Sequence, residues 1–243
     1  ALALLLLAGW LAWRTAPVPQ PATEAQPTRL WQPFARPAFR RLLAVFVLNG
    51  IASAVPATLV LFFVQDRLQA SAQMEPAFLG VYFLCAALCI PLWLRAVARF
   101  GLARCWLGGM LLSVAVFVWA AGLGAGDTTA FLAVCALSGV ALGADLALPS
   151  ALLAGVIARA GDRGQAEGAY FGWWNFATKL NLALAAGIAL PALGAFGYTA
   201  GSRSEEALSA LTVAYCLLPC LLKALAALLL GLLWIRPERK NPT

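Results

Sequence analysis

Six long apolar segments constrain this chain more than any other feature. They cover residues 40–64, 77–98, 103–123, 129–157, 168–193 and 207–235. Each approaches or exceeds the roughly 20 residues that a helix needs to cross a bilayer. None carries the strict alternation of a half-buried strand. Helices satisfy every backbone group within one segment, which lipid requires. The expected fold is an all-α membrane protein with six transmembrane helices. Composition agrees: 63% of the 243 residues are hydrophobic and 11% are charged. Soluble domains carry about 45–50% apolar and about 25% charged residues.

Residues 1–13, "ALALLLLAGWLAW", are apolar but too short to span. They lack the positive flank and the small-residue cleavage site of a signal peptide. The expectation is the end of a truncated transmembrane helix, which makes this chain the C-terminal part of something larger. Residues 14–37 are rich in Pro and polar residues and read as a linker. Residues 38–236 form the six-helix bundle of this scheme, and 237–243 a tail.

The loops indicate orientation. Arg14, Arg29, Arg36, Arg40, Arg41, Arg95, Arg99, Arg104, Arg159, Arg163, Arg236, Arg239 and Lys240 share one side of this arrangement. The other side holds Arg67 and Arg203 with Asp66, Glu75, Asp127, Glu205 and Glu206. The positive-inside rule places the first side, with the linker and the C-terminus, in the cytoplasm. The expected location is the inner membrane of a cell, multi-pass.

Three charges lie deep inside spans: Asp145, Lys179 and Lys223. Such residues are costly in lipid and mark a bundle interior or a wet cavity. Neutral polar residues line up with them. Asn175 is one turn before Lys179, beside Thr178. Asn49 and Ser53 share a face of the first helix, Ser138 and Asp145 a face of the fourth, and Tyr215, Pro219 and Lys223 a face of the sixth. Asp145, Asn175, Lys179, Asn49 and Ser53 are therefore the candidate substrate and cavity residues. A structural Lys179–Asp145 pair is the plainer reading, and Asn49–Ser53 also suits interhelical glue. On either reading two buried cations face one buried acid, so a partner acid or an anionic ligand is expected for the surplus. Gly139 and Gly143 form a small-residue packing face.

The same inventory narrows the chemistry. There is no His, so the usual general base and metal ligand are missing. The six Cys sit in apolar stretches and read as small hydrophobes. No enzyme activity, no metal site, no bound cofactor and no nucleic-acid partner is expected. The partners expected are the lipid bilayer, a small-molecule substrate and the missing N-terminal part, which the resemblance described next makes a six-helix half.

Six helices after a cytoplasmic linker resemble the C-terminal half of a twelve-helix major facilitator transporter, whose halves are nested inverted repeats. "AEGAYFGWWNFATKLNLALAAGIALPALGAFGY" is similar to the eleventh-helix region of the glycoside–pentoside–hexuronide:cation symporters, the melibiose permease group. That group carries an acid followed by a small residue, an aromatic stretch, and a Lys twelve positions after the acid. Glu167, Gly168, Tyr170, Phe171 and Lys179 match. "GADLALPSALLAGVI" resembles the preceding helix. The likeness runs from Leu30 to about Pro237. It implies symport of a sugar or sugar-like solute with a coupling cation, sodium or a proton, by alternating access. Lys179 would lie in the central cavity, and Glu167 and Arg163 near a cytoplasmic gate. Gly155 and Ala158 depart from the family's Asp–x–x–Asp pair, and Gln165–Ala166 from its basic residue before the acid. Two alternatives remain open at this point: a lipid or amphiphile carrier of the same family, and a degenerate, non-transporting membrane scaffold.

Overall fold

The computed structural model describes Arg14 and residues 30–236. Residues 1–13, most of the 14–37 linker and the 237–243 tail lie outside the described residues, and with them the truncated-helix reading. Among the described residues, six helices are long and apolar enough to cross a membrane: α1 Pro37–Arg67, α2 Glu75–Phe100, α3 Leu102–Ala120, α4 Thr128–Ala160, α5 Glu167–Ala195 and α6 Glu205–Ile235. No strand occurs among the described residues.

The helix ends follow local chemistry. Pro37 and Pro76 sit in first turns, where the missing amide costs nothing. Gly101 at φ 83° separates α2 from α3, and Gly161 at φ 74° ends α4 in the left-handed conformation. Ser204 caps α6 by accepting from the Ala207 amide.

α4 packs between α2 and α3, α6 packs between α3 and α1, and α5 lies on α1. α1 and α2 rest on these neighbours rather than on each other. Glycines set the closest approaches. A Cβ on Gly139 would stand 2.3 Å from the Tyr82 carbonyl oxygen, and one on Gly143 2.8 Å from that of Ala86. The small-residue face of α4 therefore receives the backbone of α2. Trp93 fixes this contact by donating its indole N–H to the Val140 carbonyl at 2.8 Å.

The apolar interior is divided into two clusters. One holds Phe39, Leu42, Trp106, Met110, Leu148, Tyr170 and Leu230. The other holds Leu59, Phe63, Phe78, Val116, Phe131, Leu211 and Tyr215. Asn49, Ser53 and Lys223 fall between them in sequence, and Asp145 borders the first cluster between Ala144 and Leu148. Outside, Phe83, Leu84, Leu88 and Leu92 on α2 and Leu221, Leu225 and Leu228 on α6 are exposed. Faces so apolar suit acyl chains, which need no polar partner.

Polar clasps tie the loops at both ends of the bundle. On the Arg-rich side, Asp162 accepts from Arg36 Nη2 at 3.1 Å, Arg36 Nε at 3.3 Å, Gln32 Nε2 at 3.3 Å and the Tyr170 hydroxyl at 2.7 Å. The Trp173 indole donates to the Leu30 carbonyl at 2.8 Å. The segment before α1 is thus held on the α4–α5 loop. At the other end Asp66 accepts from the Tyr198 hydroxyl and the Gly201 amide, while Arg67 donates to the Leu123 carbonyl.

Candidate functional site

Asp145 is the centre of a buried polar network. Its Oδ1 accepts from Asn49 Nδ2 at 3.1 Å and from Trp106 Nε1 at 2.8 Å. Its Oδ2 accepts from Lys223 Nζ at 2.8 Å and from Ser53 Oγ at 3.4 Å. Lys223 also donates to Ser53 Oγ at 2.8 Å. Helices α1, α3, α4 and α6 each contribute one or more of these groups. Two donors on each carboxylate oxygen, one of them a cation, supply what an ionised carboxylate needs when it leaves water.

The network forms one wall of a cavity of about 190 Å³ enclosed by α1, α2, α3, α4 and α6. Ser53, Ser138, Asp145, Tyr215, Pro219 and Lys223 all line it, so three separate sequence stripes converge there. Most of the remaining lining is apolar, including Phe78, Phe117 and Val134. Ala57 on α1 and Leu79 and Phe83 on α2 are cavity residues that are also exposed. The cavity therefore opens between α1 and α2, the two helices that do not pack together.

Prolines shape this wall. A helical proline removes the amide that would pair with the carbonyl four residues earlier. Pro56, Pro149 and Pro219 do so to Ala52, Asp145 and Tyr215, all three on the cavity. Just before Pro219 the helix widens into a π turn at Val213–Leu217, where the Leu218 amide reaches the Val213 carbonyl. Such turns accommodate an irregularity without ending the helix.

The candidate residues fall into two places. Asn49, Ser53 and Asp145 meet in the network. Asn175 and Lys179 do not join them: both are exposed. Asn175 donates to the Phe171 carbonyl of its own helix at 3.0 Å. Lys179 lies two residues from the buried Ala177 and Asn181, hence roughly opposite the face that α5 packs on α1. The expected pairing of Lys179 with Asp145 is thus corrected, since the partner of Asp145 is Lys223. Two buried cations do not compete for one acid, because Lys179 is outside the packed interior. Glu167 opens α5 half-buried and Arg163 is exposed in the loop, and neither forms an ion pair among the described residues. The carboxylate that organises this loop is Asp162.

Sequence reasoning also missed Trp106 as a donor and Lys223 as the partner. Lys223 had a signal, the Tyr215–Pro219–Lys223 stripe. Trp106 had none, because an indole in an apolar span looks the same whether or not its N–H is used.

No curated protein matches the chain. Across residues 15–236 it matches the family model described as MFS/sugar transport protein. That match covers most of the chain and agrees with six apolar helices around a cavity with one charged wall, so the chain belongs to the MFS/sugar transport protein family.

Proposed function

We propose that the chain is the C-terminal half of a twelve-helix transporter that moves a sugar or sugar-like solute together with a cation, by alternating access. The observation that carries this reading is the Asp145–Lys223 pair, held inside the membrane on the wall of a cavity. Buried ion pairs contribute little net stability compared with apolar residues of the same volume. A charge pair placed where a cavity can reach it fits binding better than packing. The exposed Asn175–Lys179 face of α5 is the surface offered to the preceding half, whose acids would supply the coupling-cation site. The Arg-rich ends face the cytoplasm, so a Cys placed at Ser71 reacts with an impermeant maleimide on intact cells while one at Gln165 does not.

A second reading has one observation in its favour. The mainly apolar lining and the opening between α1 and α2 suit an amphiphile carrier of the same family. Uptake by proteoliposomes holding the complete transporter separates the two. The sugar reading expects accumulation of a radiolabelled glycoside, with Lys179→Leu folded but inactive and Lys179→Arg partly active. Uptake of a labelled single-chain lipid with no glycoside uptake would favour the second reading. Wild-type glycoside uptake by Lys179→Leu would remove Lys179 from the site.

A further inference from the structure

The cavity wall has unused hydrogen-bonding capacity of a particular kind. An ammonium group has three protons. Lys223 gives one to Asp145 and one to Ser53, and no third acceptor occurs among the described residues. Asp145 is already served by four donors. The pair is therefore balanced in charge, with a spare donor on the Lys223 side. Around the same space the hydroxyls of Tyr82, Ser113 and Tyr215 make no hydrogen bond among the described residues, and each can donate and accept. The rest of the wall, with Phe78 and Phe117, is apolar.

We infer that this cavity is a ligand site of its own, apart from the Lys179 face, and that it takes a small uncharged molecule. The ligand carries a hydroxyl or carbonyl oxygen for the spare Lys223 proton and an apolar body for the aromatic wall. Charge balance is what selects against ions. A buried anion would lack a free cation, because Lys223 is committed to Asp145. A cation would meet a carboxylate that four donors already occupy. Either ion would also lose its water in a mainly apolar space, at a cost no uncharged ligand meets. Size sets the other limit. About 190 Å³ is roughly six water volumes of about 30 Å³. It is also below the roughly 300 Å³ at which drug-sized pockets begin. The ligand is one ring or a short chain, or one end of something longer that leaves between α1 and α2. The inference goes beyond the transport reading and is tested by binding alone.

The test uses the full chain in lipid nanodiscs and three probes of one shape: benzyl alcohol, benzoate and benzylammonium. Saturation-transfer NMR reports contact with the protein, and protein-free nanodiscs correct for partition into lipid. Benzyl alcohol is expected to give a protein-dependent signal that the two ions do not. Two variants locate it. Asp145→Asn/Lys223→Met removes both charges together and keeps the fold, and should reduce the affinity for benzyl alcohol about tenfold. Ser113→Phe fills the cavity and leaves the pair in place, and should abolish the signal. Near-ultraviolet circular dichroism confirms that both variants are folded. The inference is overturned by equal or stronger binding of either ion, by a benzyl alcohol signal that survives in both folded variants, or by no signal above the protein-free control. If glycoside uptake fails while the neutral probe binds here as described, the transport reading falls and this site stands.

Discussion

Lys223 Nζ lies 2.8 Å from Asp145 Oδ2, joining α6 to α4 at the edge of the apolar cluster that holds Trp106 and Leu148. Both side chains are nearly buried, at 5% and 11% exposure. Removing one member leaves the other charged and unpaired in the interior. Lys223→Met and Asp145→Asn should each destabilise the protein by about 3–5 kcal/mol. The double variant should recover most of that loss, because no lone charge remains. Denaturant unfolding of the four proteins in detergent gives the cycle. Additive losses would mean that the pair is not coupled.

The glycines of α4 give a steric prediction. Gly139→Ala sets its methyl against the Tyr82 backbone carbonyl, which cannot rotate away. Overpacking of this kind costs about 1–3 kcal/mol. Gly172→Ala on α5 meets nothing within 4 Å and should be neutral or stabilising by about 0.5–1 kcal/mol. The melting temperature should fall for Gly139→Ala and hold or rise for Gly172→Ala.

How much of this was open to sequence depended on the kind of information. The six spans were legible because lipid imposes length and apolarity on any crossing helix. Their ends were legible within a few residues, since Gly101, Gly161 and the first-turn prolines punctuate the chain. The stripes of Asn49–Ser53, Ser138–Asp145 and Tyr215–Lys223 were legible from helical periodicity. The identity of the pair was not. Periodicity gives the face of one helix, whereas pairing depends on which helices are neighbours. α4 and α6 approach through α3, so Asp145 reaches Lys223, while α5 turns Lys179 to the outside. Asp162 was hidden for another reason: between Arg159 and Arg163 it reads as part of a basic loop.

The Asp162 clasp should be sensitive to acid. The Arg36 guanidinium, donating to Asp162, holds its carboxyl below the ordinary carboxylate range, helped by the Tyr170 and Gln32 hydrogen bonds and opposed by burial. A depressed folded-state pKa means that the stabilisation is complete above the unfolded value, about 3.9. It is lost as pH falls through the lower folded value. Hydrogen exchange of residues 30–36 should therefore be protected at pH 6 and rise toward pH 3, after correction for intrinsic exchange. Asp162→Asn should show the high exchange already at pH 6. Equal protection in the two proteins at pH 6 would mean that the clasp does not hold this segment.

The central claim is that the Asp145–Lys223 pair serves transport rather than folding. Asp145→Asn alone cannot decide it, because the stranded Lys223 would lower abundance whatever its role. The deciding measurement is the initial rate of solute uptake by proteoliposomes holding equal amounts of folded wild-type transporter or its Asp145→Asn/Lys223→Met variant. The account predicts at least a tenfold fall in the variant, with its melting temperature within a few degrees of wild type. Uptake at the wild-type rate by the folded double variant would contradict it and leave the pair as a fixture of packing.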